Sequence, residues 1–286
     1  MLPHKVSGLS KSVINERDAH IKSQIEMHSP GNESYSLIAK VVNVGVALLV
    51  YGRDNGVARI VCDVQTQWIG SGPGYMGNKG AVGARFRVPA ADGGVGEIFT
   101  CVSIAFSRAS DLNSQIFYSF VCAHLTAHEP KLPHRIADYN HIVGSLLFDP
   151  LPSSETSSKT TMYSTSHLFF LGDLNFRVSL PKVHPLAREL KESAAEVLNS
   201  ESTREELKDY DQLLNVRRKG TAFIGLKEGE FWKFQCSYKY QLGEVNKYRY
   251  VLLLGYYLPL LIRFQKSQAD SVMDRQNILL YVHRFG

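Results

Sequence analysis

Two segments place polar groups that could do hydrolytic chemistry at the ends of predicted strands. The apolar run 167–171 leads into Gly-Asp-Leu-Asn, which puts the carboxylate of Asp173 and the carboxamide of Asn175 at the rim of a sheet. Such groups can orient a water molecule or a metal-bound oxygen, although Asp and Asn are also common in ordinary turns. The predicted strand 117–125 carries His124 near its end. Taken singly, each segment is compatible with a catalytic role and with a simple turn.

The segment His124-Leu-Thr-Ala-His128 holds two histidines four residues apart. On one face of a helix this spacing can bind zinc, but the glutamate of the zinc-protease pattern is absent and the segment lies at a predicted strand end. The pair therefore gives little support for a zinc site. A histidine at a strand end is more often structural than catalytic, so the role of His124 depends on its neighbours.

Two further segments could contact an anion. Gly72-Pro-Gly-Tyr-Met-Gly77 has the spacing of a dinucleotide fingerprint, but the run 81–88 that follows it predicts a strand, whereas that fingerprint opens a helix. Two interpretations remain, a plain hairpin loop and a loop that brings Asn78 and Lys79 to an anion. Cys236-Ser-Tyr-Lys-Tyr240 places an ammonium between two phenol hydroxyls, donors that suit a phosphate, unless the segment is simply an exposed strand.

The elements that must position these groups change from one helix to a series of strands and then to helices among strands. Helical spacing of apolar residues predicts helices over 14–27, from about 135 to before 150, and over about 185–214 with a break near 200. β-Branched and aromatic runs predict strands over 35–42, 45–51, 58–67, 81–88, 99–107, 117–125 and 167–171. The polar tract 153–166 is predicted to be a surface loop. The mostly antiparallel strand order, with helices inserted late, predicts an α+β sandwich of two packed sheets.

The composition of the 286 residues is that of a globular protein, with 44% hydrophobic and 21% charged residues, which excludes fibrous and wholly disordered chains. The net charge of +5 is compatible with a polyanionic partner without identifying one. The four cysteines show no C-x-x-C spacing, which argues against a disulfide framework and favours a reducing compartment. Residues 1–22 lack the apolar region of a secretory signal. The apolar run 251–262 is too short to span a bilayer, which favours a buried element over an interfacial patch.

In their order and spacing, the segments above resemble the inositol polyphosphate 5-phosphatases, including the synaptojanin-type catalytic domain, within the endonuclease/exonuclease/phosphatase superfamily. The resemblance runs from about Tyr35 to Tyr240 and depends on the order of the motifs rather than on any one of them. The matching stretches are 77–82 with Arg85 and Phe86, 123–128, Arg135 with Asp138 and Tyr139, 171–177, 211–213, Glu228 with Gly229, and 237–240.

The resemblance implies a four-layered α/β sandwich of the DNase I type and magnesium-assisted hydrolysis of the 5-phosphate from phosphoinositides or soluble inositol polyphosphates. By the family pattern, His124 would stabilise the scissile phosphoryl group. Asp173 and Asn175 would orient the attacking water and the phosphate oxygens. Phosphoryl transfer to water needs mainly such positioning and charge neutralisation.

The resemblance also implies how the substrate is held. Asn78 and Lys79 would line the phosphate pocket, and Tyr238 with Lys239 would contact the neighbouring 4-phosphate. The implied partner is a phosphoinositide at a membrane surface or an inositol polyphosphate, and the implied location is cytoplasmic and peripheral at membranes. No nucleic-acid partner is expected, because the segment with Tyr238 and Lys239 argues against a nuclease.

Three elements of the family pattern are missing or altered in this chain. There is no early Gln-Glu pair to supply a magnesium ligand and no final Ser-Asp-His motif, and only the stretch 271–279 resembles the expected Trp-x-Asp-Arg-Ile-Leu. No metal ligand is therefore assigned. We expect residues 1–248 to be a partial catalytic domain and residues 249–286 a divergent segment, with 250–264 translated from an intron. The missing elements make the activity of this chain itself doubtful; the alternatives to a phosphatase are a non-catalytic phosphoinositide-binding remnant and a nuclease of the same superfamily.

Overall fold

The computed structural model describes residues 4–43, 46–71, 79–89, 116–150, 157–165, 167–233, 263–264 and 278–283. The helices are α1 His4–His28, α2 Leu132–Ser145, α3 Pro185–Glu192, α4 Ala194–Asn199, α5 Glu201–Leu207 and α6 Gln212–Arg218. The strands are β1 Tyr35–Asn43, β2 Val46–Arg53, β3 Cys62–Ser71, β4 Lys79–Val88, β5 Ile116–His124, β6 Leu147–Phe148, β7 Thr160–Thr161, β8 His167–Asp173, β9 Arg263–Phe264 and β10 Ile278–His283.

The strands form two main sheets. One has the order β1-β2-β10 and the other has the order β3-β4-β5-β8-β9, while β6 and β7 pair separately. The described pairs are antiparallel except for β5 and β8, which run parallel. Because β5 and β8 are parallel neighbours, their carboxyl ends lie at the same edge of the larger sheet.

Side chains alternate between the two faces of each strand, and this alternation builds four layers. On β2, Leu49 clusters with Ile14 of α1, whereas the adjacent Leu48 clusters with Phe120 of β5 between the two sheets. Val121, next to Phe120, clusters with apolar residues of α2 and α6 on the outer face. The layers are therefore α1, the smaller sheet, the larger sheet, and α2 with α6. This arrangement confirms the predicted four-layered α/β sandwich.

The predicted helical stretch 185–214 is several short helices, because capping residues interrupt it. The hydroxyl of Ser200 accepts from the backbone N–H of Thr203 at the start of α5. The carboxylate of Asp211 accepts from the backbone N–H of Leu214 at the start of α6. Such side chains stabilise a new helix start and end the preceding one. The predicted break near Ser200 is confirmed, and further breaks lie at Ser193 and before Asp211.

Three features differ substantially from the sequence predictions. The predicted strand 58–67 begins only at Cys62, because residues Val57–Arg59 form a 3-10 turn that buries Val57. The tract 153–166 is not simply a surface loop: β7 pairs with β6, and Met162 is completely buried. Helix α1 begins ten residues before the predicted start. The predicted strand 99–107 lies outside the described residues.

Two pieces of the segment 249–286 are described, and each pairs with a sheet. Residues Arg263–Phe264 pair with β8, and Ile278–His283 pair along β2. The rest of the segment, including the whole apolar run 251–262 and residues 271–277, lies outside the described residues. The division at residue 248 and the intron hypothesis remain predictions. Among the described helices, none combines the length and apolar character needed to cross a membrane.

The buried histidine at the start of β8 is expected to make stability depend on pH. The His167 ring stacks on Tyr118 with centroids 4.9 Å apart, and burial lowers its pKa. In the unfolded chain a histidine takes up a proton near pH 6.5, whereas the folded state resists protonation until lower pH. The free energy of unfolding should therefore fall as the pH is lowered from 7 through about 6.

This pH effect can be measured by urea denaturation of the unmodified protein and of His167→Phe at pH 7 and pH 5.5. Phenylalanine retains an aromatic ring beside Tyr118 but cannot be protonated. We expect the variant to lose less stability between the two pH values than the unmodified protein. Equal losses would show that His167 does not contribute to the pH dependence.

Candidate active site

The ends of three neighbouring strands form the candidate site. In the register of the larger sheet, Gly80 of β4 lies opposite His124 of β5, and His124 lies opposite Asp173 of β8. Lys79 begins β4 at the same edge. Strand pairing thus brings together groups that are far apart in the sequence.

A partly buried polar cluster at this edge consists of Lys79, His124 and Asp173. The Nζ atom of Lys79 is hydrogen-bonded to Nε2 of His124, and this Nε2 lies 3.6 Å from Oδ2 of Asp173. The side chains of His124 and Asp173 are only 11% and 14% exposed. An N–H···N contact needs one nitrogen to accept, and the imidazole is the group that can do so. The cluster therefore combines hydrogen-bond donors for an anion with a carboxylate beside them.

Two glycines allow the strands to approach closely enough to build this cluster. Gly172 has φ +121°, and a Cβ there would lie 2.1 Å from the carbonyl oxygen of Ala123 on β5. Gly80 has φ +142°, and a Cβ there would lie 2.0 Å from the carbonyl oxygen of Ile69 on β3. Side chains do not fit at such distances and rarely adopt such φ values. The glycines beside Lys79 and Asp173 are thus requirements of the strand geometry.

Asn175 is fixed by hydrogen bonds at both ends of its carboxamide. Its Nδ2 donates to the carbonyl oxygen of Leu125 at 2.9 Å, and its Oδ1 accepts from Nη2 of Arg177 at 2.9 Å. Its backbone is left-handed, with φ +56°, a conformation that Asn tolerates better than most residues. Asn175 therefore connects the segment after β5 to the segment after β8, and the order Gly-Asp-Leu-Asn is needed for this connection.

Helix α2 holds the segment that follows His124. One carboxylate oxygen of Asp138 accepts from the backbone N–H of Thr126 at 2.8 Å and from its hydroxyl at 2.6 Å. Nη1 of Arg135 donates to the carbonyl oxygen of His128 at 2.5 Å. His128 thus contributes its backbone carbonyl as the acceptor for Arg135, and its own backbone has φ +75°.

Within the part of the chain that the structure describes, no group of three or more His, Cys, Asp or Glu side chains could hold a metal ion.

The cysteine next to the site is not a suitable nucleophile. Burial, together with the negative charge of Asp173, raises the pKa of the Cys122 thiol to about 12. Nucleophilic cysteines act as thiolates and have lowered pKa values. Cys122 therefore remains a thiol at neutral pH, and the site is better suited to activating water than to forming a thiophosphate.

Four of the predicted site residues come together, and the remaining three cannot be placed. Lys79, His124, Asp173 and Asn175 lie at one edge of the larger sheet. The predicted substrate-binding residues Asn78, Tyr238 and Lys239 lie outside the described residues, so their roles remain predictions. The sequence predictions also gave no role to Arg135, Asp138, Arg177 and Gln212, although all four lie in the motifs that carry the resemblance.

Comparison with known proteins identifies the family. Residues 5–250 match the family described as Endonuclease/Exonuclease/phosphatase family 2. The chain belongs to this family. Its fold is shared by a solved inositol polyphosphate 5-phosphatase domain of a synaptojanin, in complex with inositol (1,4)-bisphosphate and calcium ion. The TM-score is 0.60 at 18% identity, and the match covers 94% of this chain and 68% of that chain.

Curated members of the family with similar sequences carry the names of inositol phosphatases. The chain is 29% identical over 210 residues to the type II inositol 1,4,5-trisphosphate 5-phosphatase of Mus musculus, a match covering 73% of this chain and 17% of that protein. It is 27% identical over 221 residues to synaptojanin-2 of Rattus norvegicus, covering 77% of this chain and 12% of that protein. The chain thus spans less than a fifth of the length of these two relatives. The resemblance recognised in the sequence motifs is confirmed.

Proposed function

We propose that this chain is a phosphoric monoester hydrolase that removes the 5-phosphate of phosphoinositides or inositol polyphosphates with the help of magnesium. One observation carries the proposal: an ammonium, an imidazole, a carboxylate and a carboxamide, from Lys79, His124, Asp173 and Asn175, converge at one edge of the larger sheet. The names of the curated relatives support the substrate class.

The cluster contains several of the groups that phosphoryl transfer to water requires. Lys79 can donate hydrogen bonds to phosphoryl oxygens, where negative charge must be stabilised. His124 can donate from Nε2 as well when the ammonium of Lys79 contacts the phosphate instead of the imidazole. Asp173 can accept a hydrogen bond from the attacking water and hold it in line with the phosphorus atom. Asn175 is buried, with both ends of its carboxamide hydrogen-bonded to Leu125 and Arg177, so it would orient the water and the phosphate oxygens by fixing the segment that follows Asp173. These residues position the reactants and form no covalent intermediate.

Magnesium is compatible with the donor set of the site. This ion is usually held by one or two carboxylates together with substrate phosphates and water. Asp173 supplies one such carboxylate beside the groups assigned to the phosphate. When bound, the ion would neutralise negative charge on the phosphoryl group. The other ligands would be the substrate and water.

The proposed function also includes contacts to the substrate headgroup and a location at a membrane surface. Tyr238 and Lys239 would contact the 4-phosphate, and Asn78 would line the pocket beside Lys79, as the motif resemblance implies. A lipid substrate would bring the protein to the cytoplasmic face of a membrane as a peripheral protein. The net charge of +5 is favourable for an anionic lipid surface.

The proposal can be tested by measuring phosphate release from three substrates in the presence of magnesium. We expect release from inositol 1,4,5-trisphosphate and from phosphatidylinositol 4,5-bisphosphate in vesicles. We expect none from inositol 1,4-bisphosphate, which lacks the 5-phosphate, and none after chelation of the metal. Vesicle binding without release would instead support a non-catalytic phosphoinositide-binding protein, and cleavage of DNA would support a nuclease. Either result would overturn the proposal.

A further inference from the structure

A buried glutamine joins the two segments that carry the site residues. One segment follows β5 and includes residues 125–129, and the other follows β8 and includes residues 174–179. Gln212, the first residue of α6, lies between them and is 6% exposed. It contacts no residue of the Lys79–His124–Asp173 cluster in the hydrogen bonds described, so its effect on the site would be indirect.

The carbonyl oxygen of the Gln212 side chain holds both segments at once. Its Oε1 accepts from Nη2 of Arg135 at 2.5 Å and from the backbone N–H of Arg177 at 3.1 Å. The guanidinium of Arg135 in turn donates to the carbonyl oxygens of His128 and Glu129. One oxygen atom therefore links the loop after His124 to the backbone after Asn175.

The other polar groups of Gln212 fix the orientation of its carboxamide. Its backbone N–H donates to the carbonyl oxygen of Arg177 at 2.9 Å, so Gln212 and Arg177 are paired in both directions. Its Nε2 donates to the hydroxyl of Ser179 at 2.7 Å and to Oε1 of Glu129 at 3.2 Å. Because donor and acceptor ends have different partners, the carboxamide cannot be turned over without losing hydrogen bonds.

The contacts of Arg177 transmit this arrangement to the site. Its guanidinium donates to the backbone carbonyl of Asn175 at 3.0 Å and to Oδ1 of Asn175 at 2.9 Å. The left-handed conformation of Asn175 is less favourable than the right-handed one, so it needs surrounding contacts to persist. Moving the Arg177 backbone would move the guanidinium that holds Asn175.

We propose that Gln212 is a positioning residue of the active site. The inference rests on the proposed phosphatase function and assigns to Gln212 the task of setting Asn175, through Arg177, relative to the segment after His124. Displacement of a reacting group by about 1 Å can lower a rate by about a hundredfold. Loss of the Oε1 acceptor should therefore lower kcat more than it changes KM.

The first test replaces Gln212 by Met, which keeps an unbranched side chain but removes the hydrogen bonds. With inositol 1,4,5-trisphosphate as substrate, we expect kcat to fall about thirtyfold and KM to change less than about threefold. Hydrogen–deuterium exchange at the backbone amide of Arg177 should become faster, because that N–H loses its acceptor.

The second test restores a hydrogen-bond acceptor at position 212 and exchanges the amide and carboxylate groups of residues 212 and 129. Gln212→Glu keeps an acceptor for Arg135 and Arg177 but faces the carboxylate of Glu129. Combining it with Glu129→Gln again pairs an amide with a carboxylate across this contact. We expect the double variant to recover kcat to within about fivefold of the unmodified protein, a recovery that a purely volumetric role of Gln212 would not produce.

Gln65 offers a matched control for the Gln212→Met variant. Its Oε1 also accepts from a buried guanidinium, that of Arg85, about 20 Å along β4 from Lys79. Gln65→Met should leave kcat unchanged.

If Gln212→Met leaves both kcat and the hydrogen exchange of the Arg177 amide unchanged while the unmodified protein releases phosphate, the inference is wrong and the proposed function stands. If the unmodified protein releases no phosphate, the proposed function fails, and unchanged exchange at Arg177 would still overturn the inference.

Discussion

Replacing Asp173 by Asn is expected to lower kcat for 5-phosphate release by about a thousandfold, with little change in the free energy of unfolding. Asparagine has nearly the same shape, so packing at the end of β8 is retained. The substitution removes the negative charge 3.6 Å from Nε2 of His124 and the carboxylate assigned to the attacking water and magnesium. Measuring kcat with inositol 1,4,5-trisphosphate and the thermal midpoint of the same preparation separates the two effects.

Asp149 supplies the control for this prediction. Its carboxylate is 59% exposed and pairs with Lys159 at the surface, where an ion pair contributes little. Asp149→Asn should leave kcat and the thermal midpoint close to those of the unmodified protein. If Asp173→Asn retained more than about a tenth of the normal kcat, the role assigned to Asp173 would be wrong.

Replacing Gly172 by Ala is expected to prevent stable folding, with a loss of about 4 kcal/mol or more in the free energy of unfolding. The new Cβ would lie 2.1 Å from the Ala123 carbonyl oxygen, and the φ of +121° is unfavourable for any residue with a Cβ. Relief would require separating β5 from β8 in the middle of the larger sheet. Soluble yield and the urea midpoint would report the loss.

Gly144 is the matched position for the same substitution. It lies on α2, and a Cβ there would meet nothing within 4 Å. Because glycine is a poor helix former, Gly144→Ala should raise stability by about 0.5–1 kcal/mol. A Gly172→Ala variant with a normal urea midpoint would contradict the close approach of β5 and β8.

Local patterns predicted the two packed sheets well, because the alternation of side chains along a strand depends only on neighbouring residues. On β5, Phe120 and Val121 are adjacent and belong to different core clusters, as the period of two for a strand requires. Where two local preferences compete, the prediction was less accurate. The β-branched run after Gly56 predicts a strand from Ala58, but burial of Val57 favours a 3-10 turn before β3 begins.

The polar tract before β8 shows a different limit of sequence interpretation. Serine and threonine residues there predicted a surface loop, yet Oγ1 of Thr160 accepts from the buried guanidinium of Arg85 at 2.6 Å. Arg85 is 2% exposed and also donates to the carbonyl oxygen of Asp149. A buried guanidinium needs acceptors, and the nearest one, Oγ1 of Thr160, comes from this tract. Nothing in the tract itself reveals that requirement.

The sequence by itself determined the family, the presence of the strands that carry the site and the candidates His124, Asp173 and Asn175, because motifs and strand patterning can be recognised from the order of residues along the chain. Only the tertiary structure decided which groups meet. Lys79 and His124 are 45 residues apart, and Gln212 is 77 residues from Arg135 and 35 from Arg177. These contacts depend on strand register and on where α6 packs against the sheet. Register and packing are set by the burial of whole faces, so no short stretch of sequence specifies them.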